Sequence, residues 1–453
     1  MVAKKAPTNP CPNLSKPTCF NSTVMKKLIL TVLIAASGIA GAAAQAPADS
    51  LLSLEQCIDM ALANNAAMKM AENNTAAARE TRREAFTKYF PEISAAGFGF
   101  RTANYVLQYN ALDLLKIELI KHGVMGGVQA LQPIFMGGQI VNGNQLAKVG
   151  EAVAELQAKQ SASEVRVTAE KYYWQLATLK ATKGTLNSAL AMLDTLDSQV
   201  AVAVDAGIVT NNELLKVRLQ RNDFASKMVD LDNGIKLCRM VLSQYVGAPV
   251  NAPVDINAPV PDSVPEYPLD LRVDPAEALM QTNDYQLLVN QVKAAKLEKR
   301  MELGKNLPTV LGGAGWYYHN VLEQGHNFGA LTLAINIPIT GWWGGSHAMK
   351  KKDLQVKNAR IMLDDGSEML QINMQNKWDD LTAAHRKMQI AAEAIEQSAE
   401  NLRLNQAFYD AGTATITDLL DAQTLNQQAR DKYVASYGDF RVAVAEYLSA
   451  TGR

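Results

Sequence analysis

Two stretches, roughly 138–203 and 346–409, run without a single proline. Their apolar residues recur at helical spacing, as at Leu186, Leu190, Leu193, Leu196 and Val200. Three- and four-residue intervals of this kind make the seam of a coiled coil. About 65 residues at 1.5 Å rise per residue form a rod of roughly 100 Å. No compact core hides such a helix, so the chain must lay long helices side by side in a bundle.

The second constraint is repetition. VDAGIVTNNELLKVRLQ at 204–220 and YDAGTATITDLLDAQTL at 409–425 align through Asp205/Asp410, Ala206/Ala411, Gly207/Gly412 and Thr210/Thr415. Pro133/Pro338, Tyr173/Trp378, Leu176/Leu381 and Gly247/Gly452 share the same offset of 205 residues. One spacing held over so long a span marks a duplicated half. FPEIS at 90–94 and LPTVL at 307–311 pair at a slightly different offset. Each half repeats one order of patterns. A first helix covers Leu54–Thr87 or Pro275–Lys305, with Ser53 and Gln56 resembling a capping box at its start. Pro91 or Pro308 then stops the helix. Two strand-like runs, a long helix, an Ala-Gly turn and a return helix follow. The halves span 45–248 and 275–453, joined by a proline-rich linker at 249–274.

Four strand-like runs are expected, at about 91–104, 122–136, 308–320 and 328–341. In FGALTLAINIPIT, Leu331, Leu333, Ile335, Ile337 and Ile339 share one face, while Ala330, Thr332, Ala334 and Asn336 share the other. A strand of a sandwich alternates in the same way. The runs are, however, few and Gly-rich, and Trp342-Trp343 stands at a strand end, where membrane barrels carry aromatic girdles. Four strands cannot close a barrel, and an open edge is not tolerated in lipid. Membrane strands here therefore require several chains per barrel, eight strands from two or twelve from three.

Composition sets limits. The net charge is −1 and charged residues make up 20% of the chain, with no basic surplus to suggest nucleic acid. Residues 1–44 are expected to be lost: Met25-Lys26-Lys27, the apolar Leu28–Ile39 and Ala42-Ala43-Ala44 read as a secretory signal peptide, with Met25 the true start. The mature chain then carries −6, keeps only Cys57 and Cys238, and has no cysteine placed for an N-terminal lipid anchor. Those two cysteines allow a disulfide or two buried thiols. No later run is long and apolar enough for a membrane helix.

A signal peptide followed by two helix–strand–strand–long helix–turn–helix halves resembles the TolC-type outer-membrane efflux protein family. LSLEQCIDMALANN and YDAGTATITDLLDAQ carry the resemblance, which covers about residues 50–453. It implies a mainly α fold with a β-barrel part. Three chains would share a twelve-stranded outer-membrane barrel, continued by a helical tunnel into the periplasm of a Gram-negative cell. It further implies a passive exit duct of a tripartite efflux or type I secretion system. The partners would be a periplasmic adaptor and an inner-membrane pump of the RND or ABC type, docking at the turns around Gly207, Thr210, Gly412 and Thr415.

No catalytic constellation or cofactor motif stands in the chain. His122, His319, His326, His347 and His385 lack metal-ligand spacing, and His319 and His326 read as solvent-facing residues of an outer loop, HNVLEQGH. Gly137-Gly138 and Gly344-Gly345 lack the lysine of a phosphate loop and read as bends from strand to helix. The turns hold the remaining interest. Thr210-x-x-Glu213 and Thr415-x-x-Asp418 both fit a capping box, a structural explanation for the two acids. Asp421 has no such explanation, since Lys216 holds its place in the first half. Asp418 and Asp421 share a helix face, so three chains would gather six carboxylates if that face turns inward. Charges about 8 Å apart interact by roughly 0.5 kcal/mol in water and by more where water is restricted. A solvated coiled-coil flank is the alternative for Asp421. The resemblance implies that Asp418 and Asp421 line the closed inner end of the tunnel, with Tyr409 and Glu213 as latch partners. Ala414 stands where the family can carry an arginine latch, which puts a salt-bridge lock there in doubt. The competing expectation is a periplasmic coiled-coil adaptor without a pore, which two hairpins and four amphipathic strands disfavour.

Overall fold

A computed structural model describes residues 51–453 except 112–114, 252, 262, 322–323 and 340, and only the backbone of 107–119, 341 and 342. The leader and signal peptide expected over 1–44 lie outside the described residues, as does the Trp342 side chain. All elements below belong to the unit Ala48–Arg453.

In the first half, strand β1 (Leu51–Leu52) precedes helices α1 (Leu54–Asn64) and α2 (Ala66–Thr87). Strands β2 (Glu92–Arg101), β3 (Leu107–Ala111), β4 (Leu115–Leu119) and β5 (His122–Met136) follow, then helices α3 (Gln139–Asp205) and α4 (Asn211–Tyr245). The linker holds β6 (Asp255–Ile256). In the second half come α5 (Pro275–Leu279), α6 (Asn283–Lys305), β7 (Thr309–Asn320), β8 (His326–Asn336), α7 (Gly341–Asp410) and α8 (Ile416–Ala450). The two long helices have 67 and 70 residues, each roughly 100 Å at 1.5 Å per residue.

The first helix of each half, expected to be continuous, is broken. Asn65 adopts an extended conformation (φ −60°, ψ 141°), and its side chain accepts from the Ala67 amide, starting α2 afresh. It also donates to the Tyr245 carbonyl, and Asn64 donates to that of Val246. In the second half Thr282 plays the equivalent part, accepting from Tyr285. The cause is common to both. The return helix of each half ends against the break, with Gly247 beside Asn64 and Gly452 beside Gln281 and Thr282. Both glycines have φ +76°, the left-handed turn that closes a helix without a Cβ penalty.

Beside the sheet, α2, α3, α6 and α7 pack in that order; beyond the breaks, the order becomes α4, α3, α8, α7. The two long helices run through both layers. Repeat-related residues share their burial: Tyr173 and Trp378 are buried, and Leu176 and Leu381 are wholly so. Burying each leucine stabilises by roughly 1.5–3 kcal/mol relative to leaving it exposed. This core also ties down the linker. The hydroxyls of Tyr173 and Tyr433 donate to the carbonyls of Asn257 and Pro261, and Lys180 pairs with Asp255 at 2.9 Å. Cys57 and Cys238 are free thiols in the same core, and burial pushes their pKa up to about 12 and about 11.

The sheet is antiparallel, in the order β2-β5-β7-β8, with β3 and β4 forming a separate distal hairpin between β2 and β5 that the spacing does not predict. Among the described residues, β2 and β8 each keep one edge unpaired. Register places Ile93, Ala130, Ala314 and Leu331 in one row, and Val128, Trp316 and Gly329 in the next. This face is bare: Leu331 is 91% exposed, Ile93 72% and Leu333 67%. The opposite face carries polar pairs, with the Tyr317 hydroxyl donating to Gln129 and Gln129 donating to Ser94.

Two local expectations are corrected. Gly137 (φ +60°) and Gly138 (φ +76°) do make the bend into α3, but Gly344 and Gly345 already lie in the first turns of α7. The close approach of Gly345 to Asn306, where a Cβ would meet the side-chain amide at 2.3 Å, accounts for a glycine there instead. His319 and His326 are not loop residues but face each other across β7 and β8.

Candidate functional site: the paired helical turns

At the end remote from the sheet, α3 turns into α4 and α7 into α8 through Gly207 (φ +69°) and Gly412 (φ +72°). Ile208 and Thr413 donate back to Ala203 and Phe408, both at 2.8 Å, so the two turns share one hydrogen-bond pattern. Beneath them, Leu193, Leu196 and Val200 of α3, Leu214 and Val217 of α4, and Ile416, Leu419 and Leu420 of α8 form one buried cluster. Leu214 of the first repeat and the Leu419-Leu420 pair of the second thus anchor both turns to a shared core, while Leu215 is exposed.

The two turns differ where the acids stand. In the second, Asp418 Oδ2 accepts from the Thr415 amide (2.9 Å) and hydroxyl (2.7 Å), and the Asp418 amide donates to Thr415 Oγ1 at 3.3 Å. The expected capping box is complete, and these hydrogen bonds hold the exposed Asp418 carboxyl below its ordinary pKa. In the first turn the box expected at Thr210 and Glu213 does not form; Thr210 makes no side-chain cap. The Glu213 charge acts elsewhere. Burial raises the pKa of the half-buried Tyr409, and the neighbouring carboxylates of Glu213 and Asp410 raise it further.

Asp421 lies exposed, one helical turn after Asp418. Lys216 of α4 donates to Thr417 Oγ1 at 2.9 Å, and Gln220 donates to Thr424 at 3.0 Å. Thr417 and Asp421 are four residues apart and share a face, so the Lys216 ammonium stands on the Asp421 side of α8. Repeat alignment picks out Lys216 only as the residue in Asp421's place; its reach across to α8 is a fact of packing. Pairs of Arg218 with Asp197 and of Arg221 with Asp194 join α4 to α3 just behind the turn.

At the sheet end, Trp342 and Trp343 lie in the first turn of α7, past the end of β8 at Asn336, and Trp343 is 82% exposed. Phe86, Tyr89 and Phe90 form a second exposed aromatic group where α2 gives way to the sheet, with Phe86 centred 5.6 Å from each of the other two rings. The run FTKYFP before Pro91 was its only sequence signal. Among the described residues no group of three or more His, Cys, Asp or Glu could hold a metal ion, and no helix is long and apolar enough to cross a membrane.

Residues 57–248 match the model of the outer membrane efflux protein family. The match spans less than half of the 453-residue chain and falls within its first repeat. No curated protein matches this chain in sequence. Its fold is shared with solved structures at low identity. The outer membrane protein VceC of Vibrio cholerae is 16% identical, with a TM-score of 0.74 over 88% of this chain and 96% of its own. The CmeC outer membrane channel of Campylobacter jejuni is 14% identical, with a TM-score of 0.76 over 97% and 94%. The open state of the MtrE outer membrane channel of Neisseria gonorrhoeae is 16% identical, with a TM-score of 0.72 over 88% of each chain. The chain is thus mainly helical, with a fold shared by these outer membrane channels.

Proposed function

We propose that the protein is a passive exit duct in the outer membrane of a Gram-negative cell, part of a tripartite efflux or type I secretion system. The observation that carries this reading is the sheet. Its four antiparallel strands have two unpaired edges, and one face presents bare Leu331, Leu333 and Ile335. An open edge cannot stand in lipid, where every backbone donor and acceptor needs a partner. Three copies joined edge to edge close a barrel of twelve strands, and the even number per chain keeps every pairing antiparallel. Trp342 and Trp343, with Phe86, Tyr89 and Phe90, then stand at the membrane interface. The helices continue as a tunnel into the periplasm. Energy comes from an inner-membrane RND or ABC pump, delivered through a periplasmic adaptor that docks at Gly207, Thr210, Gly412 and Thr415.

In this reading Asp418 and Asp421 ring the narrow end of the tunnel, and Tyr409 and Glu213 latch adjoining helices. The test is conductance in a planar bilayer. Replacing both Asp418 and Asp421 by alanine raises single-channel conductance and weakens block by multivalent cations. Unchanged conductance with unchanged block removes them from the gate. A pore-free adaptor without a lipid anchor is released from membranes by high salt, whereas a barrel leaves only with detergent.

A further inference from the structure

Strand register brings together three side chains that lie far apart in sequence. Met125 of β5 stands opposite His319 of β7, and His319 stands opposite His326 of β8. The three form one row on the polar face of the sheet, the face of Gln129 and Tyr317. The imidazole ring centres of His319 and His326 are 5.7 Å apart. Phe328 packs edge-on against His319 at 5.9 Å and is itself stacked on Tyr317 at 5.4 Å. The His319 ring is therefore held in place by its neighbours. Its Nδ1 is shielded from solvent and has no hydrogen-bond partner among the described residues.

We infer that His319 and His326 form a cross-strand bis-imidazole site for a first-row divalent cation, with Cu2+ bound most tightly. With metal–nitrogen bonds of about 2.0–2.1 Å, two imidazole centres sharing one ion stand about 4.5 Å apart at a right angle and about 5.2 Å apart at the tetrahedral angle. The observed spacing closes to that range by a small rotation of either side chain. Opposed strands supply what a loop does not, a fixed separation between the two donors. Imidazole suits copper, nickel and zinc, and the affinity order of such ions peaks at Cu2+. Met125 sets a thioether in the same row, the kind of donor that serves Cu2+ as a weak axial ligand. Coordination also gives the shielded His319 nitrogen the partner it lacks. An ion in such a site leaves two or more positions for water or for a further donor.

The site stands on strand pairing and not on the duct reading, so metal binding can fail while the duct stands, and the reverse. The test uses the full-length mature protein, untagged and in detergent, titrated calorimetrically with CuCl2. One Cu2+ binds per chain, and its electron paramagnetic resonance spectrum shows coupling to two imidazole nitrogens. His319→Asn and His326→Asn each weaken binding by at least about tenfold, while His122→Asn and His347→Asn leave it unchanged. Circular dichroism and thermal melting, run on every variant, separate loss of the site from loss of the fold. Wild-type affinity in both the His319 and His326 variants, or a spectrum with a single coupled nitrogen, overturns the assignment.

Discussion

Thr415 and Thr210 occupy equivalent places in the two turns, yet only Thr415 caps its helix. Removing an N-cap hydroxyl costs about 1 kcal/mol where the cap is made. Thr415→Ala is therefore expected to lower the opening free energy of the amides at 416–419 by about 1 kcal/mol, roughly a fivefold rise in hydrogen exchange. Thr210→Ala is expected to leave the amides at 211–214 within about 0.3 kcal/mol of wild type. The Thr415 cap also has a pH sense. The Asp418 pKa is depressed by its hydrogen bonds to Thr415. Its contribution is thus fully present above the ordinary carboxylate value and is lost only as the pH falls through the lower folded one. After correction for intrinsic exchange, protection at 416–419 should hold to about pH 4 and fall below it. Sequence spacing offered the same capping box at both turns. The two diverge in side-chain geometry, with Asp418 bonded back to Thr415 and no such bond at Thr210, a difference that spacing alone does not record.

The same limit applies to whole elements. Proline-free stretches and the AGxxT turns made the long helices legible, at 139–205 and 341–410 against expected spans of 138–203 and 346–409. The breaks after Asn64 and before Asn283 were not legible, because their cause is the docking of a return helix from far along the chain. The β3–β4 hairpin was missed for another reason: LQYNA and LKIEL do alternate, but they are only five residues each and no Gly, Pro or Asn-Gly turn signal separates them. Strand-to-helix joints carry their own prediction. A Cβ at Gly137 would stand 2.2 Å from the Gly304 carbonyl oxygen, at φ +60°. Gly137→Ala must push α3 away from α6 and is expected to cost more than about 2 kcal/mol. Gly150, inside α3 with open space around it, should gain up to about 1 kcal/mol on replacement by alanine. Guanidinium unfolding of the two variants checks the contrast: a tolerated Gly137→Ala means the joint is looser than the structure has it.

For the whole molecule, the edges of the chain repeat one theme. β2 and β8 bound the sheet, and α2, α4 and α7 bound the helical layers, each with one side unpartnered among the described residues. Closure by three copies sets β8 of one chain antiparallel to β2 of the next. Single cysteines scanned along β2, each combined with one on β8, should give an oxidised ladder that stops at three chains on a denaturing gel. A ladder stopping at two, or continuing past three, would contradict the proposed stoichiometry. Cys57 and Cys238 do not confuse the readout, since burial holds both thiols protonated far above neutral pH. Chain number was the least legible feature of the sequence, because an apolar face records that something covers it and not how many copies do.

The strand count has one further consequence. Each passage outward through the sheet is matched by a passage back, so among the described strands the chain turns at the far rim twice, between β2 and β5 and between β7 and β8. If the sheet spans the outer membrane, those two segments are all that a phage tail, an antibody or a secreted protease can meet from outside. Selection by such agents would then act on two small, separate parts of the gene, leaving the tunnel and its turns to answer to packing and to the proteins they meet inside the cell.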